Sequence, residues 1–401
     1  MTGSTGLAPR RVLIVSADIG EGHNAAGRAL AEAAARAWPG CEVGWLDALE
    51  AAGYQFARLA RRFYVTQVRS APAAYDYFYF AMWRHRWYLN STRGGMGALF
   101  GRRMAPPIRA FDPDVIISTY PLGSAGLSWL RCRGLLDSRV GAWVPAFCPH
   151  PSWLYPALDR TYVMHSTAVR VAERAEPGMP LAVGALPVRD GFAPASPAEQ
   201  EAARGRLGLV PDGFTVLVST GSLGFGRVER TVAAILAAGP QVRAIVTCGR
   251  NRGLQRQLAA PGWPSGRLRV TGWTDDMPTL MAAADIVVSN GGGTALEAMA
   301  SARPVLITDP VPGHGRDNGR LMAAAGLALL APTPASLTAT VSRLADDPAA
   351  VAALARAACA RATLRRREDD LADLASPRLD DPGPSGVPRP RRRRFAGLTA
   401  R

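Results

Sequence analysis

The sequence predicts a parallel α/β protein built as two halves of similar size. Short apolar runs alternate with Ala-rich helical stretches along most of the 401 residues. That is the pattern of strands covered on both faces by crossover helices. The alternation stops in a Pro- and Gly-dotted stretch, GALPVRDGFAPASPAEQEAARGRLGLVPDG (184–213), and then restarts. With 48% hydrophobic and 20% charged residues the composition is that of an ordinary globular chain, long enough for one large or two medium domains.

The elements follow in order. RVLIVSA (11–17) reads as the first strand and runs into SADIGEGHNAAGRAL (16–30), a Gly-rich turn entering a helix with no breaker before Pro39. CEVGWLD (41–47), DVIISTYP (114–121), RVGAWVPAF (139–147) and RTYVMHS (160–166) read as further strands. The stretch around 186–212 reads as a linker carrying one helix. FTVLVST (214–220), QVRAIVTC (241–248), RLRVTGW (267–273), DIVVSN (285–290) and RPVLITD (303–309) repeat the strand pattern. The expected boundaries are an N-terminal domain over 1–185, a linker over 186–212 and a second domain over 213–365. A basic tail over 366–401, ending GVPRPRRRRFAGLTAR, is expected to be disordered.

Five scattered cysteines with no CxxC spacing favour a reduced compartment. The first apolar run is too short for a signal peptide, and no run approaches the ~20 residues of a membrane span. The net charge of +15 comes from 47 basic residues, all arginine, against 32 acids. It implies an anionic partner: nucleic acid, a phosphate-rich substrate or an acidic membrane.

Three loops carry candidate chemistry. The first, Gly20-Glu21-Gly22-His23, exposes backbone N–H groups at a helix start, where an anion can sit. Its spacing is not G-x-G-x-x-G, although Asp47 ends the next strand as a ribose-binding acid would. The plain alternative is a tight turn with an exposed histidine. A histidine at the carboxyl end of a parallel strand is also where a general base is useful. The second loop, Asn290-Gly291-Gly292-Gly293-Thr294, leads from a strand into a helix with Glu297 in its first turn. It reads as a diphosphate cradle, with Glu297 reaching sugar hydroxyls or merely stabilising the helix start. After the next strand, His314, Asp317 and Asn318 either bond a substrate or cap a helix. The third loop, STGSLGFGRVE (219–229), holds Gly221, Gly224 and Gly226 and opens the second half. Asp112-Pro-Asp114 precedes a strand rather than ending one, and Asp275-Asp276 reads as a helix cap, so no metal site is expected.

Together these stretches resemble a known family. GEGHNAAGRAL looks like the N-terminal signature of monogalactosyldiacylglycerol synthases and bacterial diacylglycerol glucosyltransferases. SNGGGTALEAMASARPVLI and PGHGRDN are similar to the donor motif these share with the lipid-linked N-acetylglucosaminyltransferase of peptidoglycan synthesis. Weaker matches (FDPDVIISTYP, PAFCPHPSWLYPALDRTYVMHS, VGALPV, VTGWTDDMPTLMAAADIVVSN) keep the same order over residues 10–360. The resemblance implies a GT-B architecture: two Rossmann-like domains facing across a cleft. It implies a UDP-sugar donor on the C-terminal domain and a lipid acceptor on the N-terminal one, with no other cofactor. His23 would be the base, with Gly20, Gly22, Asn24 and His150 on the acceptor side, although His150 equally suits a structural role in its Pro-rich turn. Gly221, Gly224, Gly226, residues 290–294, Glu297, His314, Asp317 and Asn318 would hold the donor. Family members often carry Gln-Glu, a pair contacting the donor sugar, where this chain has His314-Gly315; the sugar is thereby left open, and Gly315→Glu is expected to shift donor preference.

Residues 54–104 hold 13 of the 29 aromatics and nine arginines against one acid, Asp76. Such a mix stacks single-stranded nucleic acid or sits at an anionic bilayer. The resemblance favours the bilayer, with Trp83 and Trp87 toward the acceptor and no nucleic acid expected. The combined expectation is an inverting hexosyltransferase acting on a lipid hydroxyl at the cytoplasmic membrane face. The alternatives are a UDP-N-acetylglucosamine-using enzyme with another lipid-linked acceptor, a UDP-sugar epimerase, and a non-catalytic binding relative.

Overall fold

A computed structural model describes residues 8–209, 213–264 and 266–376. The first half contains β1 (Arg11–Ser16), α1 (Glu21–Ala37), β2 (Glu42–Asp47), α2 (Ala48–Ala51), α3 (Tyr54–Ser70), α4 (Pro72–Arg84) and α5 (Arg86–Phe111). It continues with β3 (Val115–Ser118), α6 (Pro121–Arg131), β4 (Arg139–Trp143), β5 (Arg160–Val163), α7 (Ser166–Ala175) and β6 (Leu181–Val183). Its sheet is parallel, in the order β2-β1-β3-β4-β5-β6. Val12, Ile14 and Val15 of β1 are fully buried, as a strand covered by helices on both faces must be.

After α8 (Pro197–Arg206) the second half begins with β7 (Phe214–Ser219), α9 (Val228–Leu236), β8 (Val242–Thr247), α10 (Arg252–Ala259) and β9 (Leu268–Thr271). Then come α11 (Met277–Ala283), β10 (Ile286–Ser289), α12 (Thr294–Ala300), β11 (Val305–Ile307), α13 (His314–Ala324) and β12 (Leu329–Leu330). The chain closes with α14 (Pro334–Asp346), α15 (Pro348–Ala362) and α16 (Arg367–Ala375). The second sheet is also parallel, in the order β12-β11-β10-β7-β8-β9.

Strand order reverses between β1 and β3 in the first sheet and between β7 and β10 in the second. Such switch points open a crevice at the carboxyl ends of the strands. The loops after β1, β7 and β10 are the three Gly-rich stretches, so the topology puts all of them at crevices.

Two boundaries differ from expectation. The linker helix α8 belongs to the second half: Arg204 pairs with Asp285 at 2.7 Å and Gln200 donates to the carbonyl of Ala284. Residues 366–376 are not tail. Helix α16 returns to the first half, packing on α1 and β4, and buried Asp370 accepts the Ala185 N–H while the Tyr162 hydroxyl donates to its carbonyl. The basic run expected beyond it falls on 377–401, outside the described residues. No helix among the described residues is long and apolar enough to cross a membrane.

Candidate active site

A cleft of about 750 Å³ runs between the two halves. One wall is Gly20–His23, with Tyr64, Tyr75, Tyr79, Tyr120, His150 and Trp153; the other is Gly221, Ser222, Asn290, Gly292–Thr294, Glu297 and His314. The walls touch at their loops. The Glu21 N–H points to Ser222 Oγ at 3.4 Å, and a Cβ on Gly293 would stand 3.6 Å from Gly22 Cα.

His23 follows β1 and bonds across the switch point. Its Nδ1 lies 2.7 Å from the Thr119 carbonyl, just past β3. A carbonyl only accepts, so Nδ1 carries the proton and Nε2 is left with its lone pair. Burial, with a smaller effect of nearby His314, brings the His23 pKa down to about 4, so the ring is neutral at pH 7. Tyr120 edge-on at 5.2 Å and Trp153 at 5.8 Å confine it.

His150 is different. Its Nε2–H donates to the Tyr79 carbonyl at 3.0 Å, and its Nδ1 accepts from the Ser152 backbone at 3.2 Å. Tyr79 stacks on the ring at 4.0 Å. Both nitrogens bond to protein, which favours the structural role over the acceptor-orienting one. His314 opens α13 and lines the cleft, its pKa lowered by burial. Three of the five histidines in the chain therefore meet here, all neutral.

In the second half, Gly291 adopts φ +85°, and a Cβ there would come 2.5 Å from the Gly315 carbonyl oxygen. The loop can take this path only with glycine. Glu297 lines the cleft from the first turn of α12, and burial pushes its carboxyl up to about 7 against the opposing pull of Arg189.

Several expected residues sit elsewhere. Asn24 turns away from the cleft, its Oδ1 accepting from Ser16 Oγ at 2.7 Å. Gly224, Gly226 and Gly291 shape their loops without lining the cleft, and Asp317 lies half-buried outside it. Asn318 reaches the cleft, but its amide ties the halves together: Oδ1 accepts the Cys148 N–H and Nδ2 donates to the Gly291 carbonyl. Trp83 packs edge-on behind His150, and Trp87 is 70% exposed on the outer surface, so neither lines the acceptor wall. At Gly315 a Cβ would stand 2.7 Å from the Asn290 carbonyl oxygen, so Gly315→Glu requires the loop to shift. Asp114 bonds the N–H groups of Arg10 and Arg11, and Asp276 precedes α11 without a side-chain cap bond. Among the described residues no group of three His, Cys, Asp or Glu side chains is placed to hold a metal ion.

Arg189, Arg250 and Trp273 also line the cleft, with Arg250 over the Trp273 ring at 3.9 Å. The Arg189 Nε is buried without a hydrogen-bond partner. Arg189 lies in the linker stretch, where a lone arginine carries no signal in the sequence.

Two parallel α/β halves facing across a cleft are the GT-B fold. Residues 23–177 match the family model for monogalactosyldiacylglycerol (MGDG) synthase, and residues 216–347 match that for glycosyl transferases group 1. It is 28% identical over 359 residues to the chloroplast monogalactosyldiacylglycerol synthase of Spinacia oleracea, covering 84% of this chain and 66% of that protein. It is 26% identical over 247 residues to the processive diacylglycerol beta-glucosyltransferase of Staphylococcus saprophyticus, covering 60% and 62%. The chain thus spans less than two thirds of the length of both of these relatives. The Anabaena protein HepE, crystallised in complex with UDP-glucose, shares the fold at a TM-score of 0.55 and 15% identity over 91% of this chain and 98% of that one.

Proposed function

We propose that the protein is an inverting glycosyltransferase that moves a hexosyl group from a UDP-sugar to the hydroxyl of a diacylglycerol-type lipid. The observation that carries this reading is His23: a neutral imidazole held in one tautomer, its free Nε2 in the cleft opposite the Gly292–Thr294 loop. The acceptor oxygen attacks the anomeric carbon as the bond to the diphosphate breaks. The hydroxyl proton goes to Nε2, and the electron pair leaves on UDP. Backbone N–H groups of the Gly292–Thr294 loop and the charge of Arg189 stabilise that leaving group, while Glu297 accepts from the donor's hydroxyls. The names of the relatives support a diacylglycerol acceptor, and the UDP-glucose complex of HepE supports a UDP-sugar donor.

The enzyme works as a peripheral protein on an anionic membrane, at the cytoplasmic face of the cell. Helices α3–α5 present Tyr54, Leu59, Phe63, Tyr77, Phe78 and Trp87 to solvent among arginines, the mix that seats in a lipid headgroup layer. The test is a panel of UDP-sugars incubated with and without diacylglycerol in anionic vesicles, following UDP release and product mass. UDP release that needs lipid and yields hexosyl-diacylglycerol is expected. Interconversion of UDP-sugars without lipid, or no turnover with any donor, overturns the reading.

A further inference from the structure

The single acid of the arginine-rich stretch 54–104 is Asp76, on α4, and it does not face solvent arginines of its own helix pair. It crosses to the other half. Its Oδ1 accepts the Gly313 N–H at 2.5 Å, and its Oδ2 accepts from the Arg316 guanidinium at 2.6 Å. Gly313 is the cap position of α13 and has no side chain with which to cap it. A carboxylate from the opposite domain therefore closes the helix start, where negative charge is favoured. The next residue is His314, which faces the cleft.

The neighbours of Asp76 make the same crossing. A Cβ on Gly313 would stand 2.8 Å from Tyr75 Cε1 and 3.1 Å from Tyr79 Cγ, so the two tyrosines close over the turn. Tyr79 also stacks on His150 and accepts its Nε2–H. One face of α4 thus holds two cleft histidines in place, while Tyr77 and Phe78 on its other face are 68% and 49% exposed. One turn before α4, Arg69 on α3 donates to the Leu223 carbonyl in the Gly221–Gly226 loop at 3.0 Å.

We infer that Asp76 is a positioning residue: it fixes the loop that carries His314 by capping α13 from across the domain boundary, so the helix offered to the membrane also sets the donor side of the cleft. The inference rests on the transferase reading for its kinetic arm alone. Hydrogen exchange of the 311–320 segment provides the arm that needs no turnover. In Asp76→Ala that segment exchanges about tenfold faster, the size expected for losing a charge-assisted bond, while 54–70 is unchanged. Asp76→Asn keeps an oxygen for Gly313 and exchanges close to wild type. Kinetically, Asp76→Ala lowers kcat/KM for the UDP-sugar about tenfold, and adding Arg316→Ala lowers it no further. Unchanged exchange over 311–320 in Asp76→Ala, or losses that multiply in the double variant, overturn the inference. A wild-type protein silent toward every UDP-sugar defeats the transferase reading instead and leaves the exchange result to decide the role of Asp76.

Discussion

Glu297 carries a pH dependence that can be read directly. Burial holds its carboxyl near 7, so it titrates across the neutral range. In the proposed donor site, sugar hydroxyls donate to the ionised carboxylate, and protonation replaces that charged acceptor with a weaker neutral one. UDP binding therefore weakens as pH falls through 7, by up to about tenfold per unit below it. Calorimetry at pH 6, 7 and 8 checks this; the slope should vanish in Glu297→Gln, and an equal slope in both proteins removes Glu297 from the donor site. At Gly315 the exchange expected to shift donor preference also carries a packing cost. Gly315→Glu drives a side chain into the Asn290 carbonyl, so it should cost about 1–3 kcal/mol as overpacking. A lowered Tm is the expected result; an unchanged Tm with a new donor preference contradicts it. His23 was legible because a glycine-rich turn after an apolar run is a local signal. The spent nitrogens of His150 were not, since Tyr79 lies 71 residues away in sequence.

Among the elements, the α3–α5 stretch was legible as a basic, aromatic block but not in its division of labour. Periodicity did not reveal which aromatics face in. Trp83 packs behind His150, whereas Tyr77 and Trp87 point outward at 68% and 70% exposure. The outward pair is the proper probe of membrane attachment. Replacing Tyr77 and Trp87 by Ser should weaken sedimentation with anionic vesicles at every salt concentration, because it removes buried apolar area. Replacing Arg58 and Arg62 should weaken it mainly at low salt, by about 1 kcal/mol per charge. Wild-type protein left in the supernatant at low salt would end the membrane reading and return the basic surface to a test against nucleic acid. Helix α16 was missed for a similar reason. Its acidic first turn lies in an Arg- and Asp-rich run that looks solvated, yet Asp370 is fully buried against Ala185 and Tyr162.

At the scale of the whole molecule, two sheets with switch points turned toward each other explain why three separate Gly-rich loops converge. That convergence was legible, because the alternation of strand and helix restarts after the linker and the loops follow strands. The bridges that close the cleft were not: Asp76 to Gly313, Asn318 to Cys148 and Glu21 to Ser222 join residues 170 to 237 positions apart. Burial in the cleft keeps His23 neutral, and the Thr119 carbonyl fixes its proton on Nδ1. If His23 takes the acceptor proton while the opposite wall binds the nucleotide, rate and nucleotide affinity respond separately to its loss. The most direct measurement is kcat for lipid glycosylation beside the UDP dissociation constant in His23→Ala. The expected result is kcat down by roughly 10²–10⁴-fold with UDP affinity almost unchanged; near-wild-type kcat, or a loss of UDP affinity that matches the loss of rate, rules out His23 as the base.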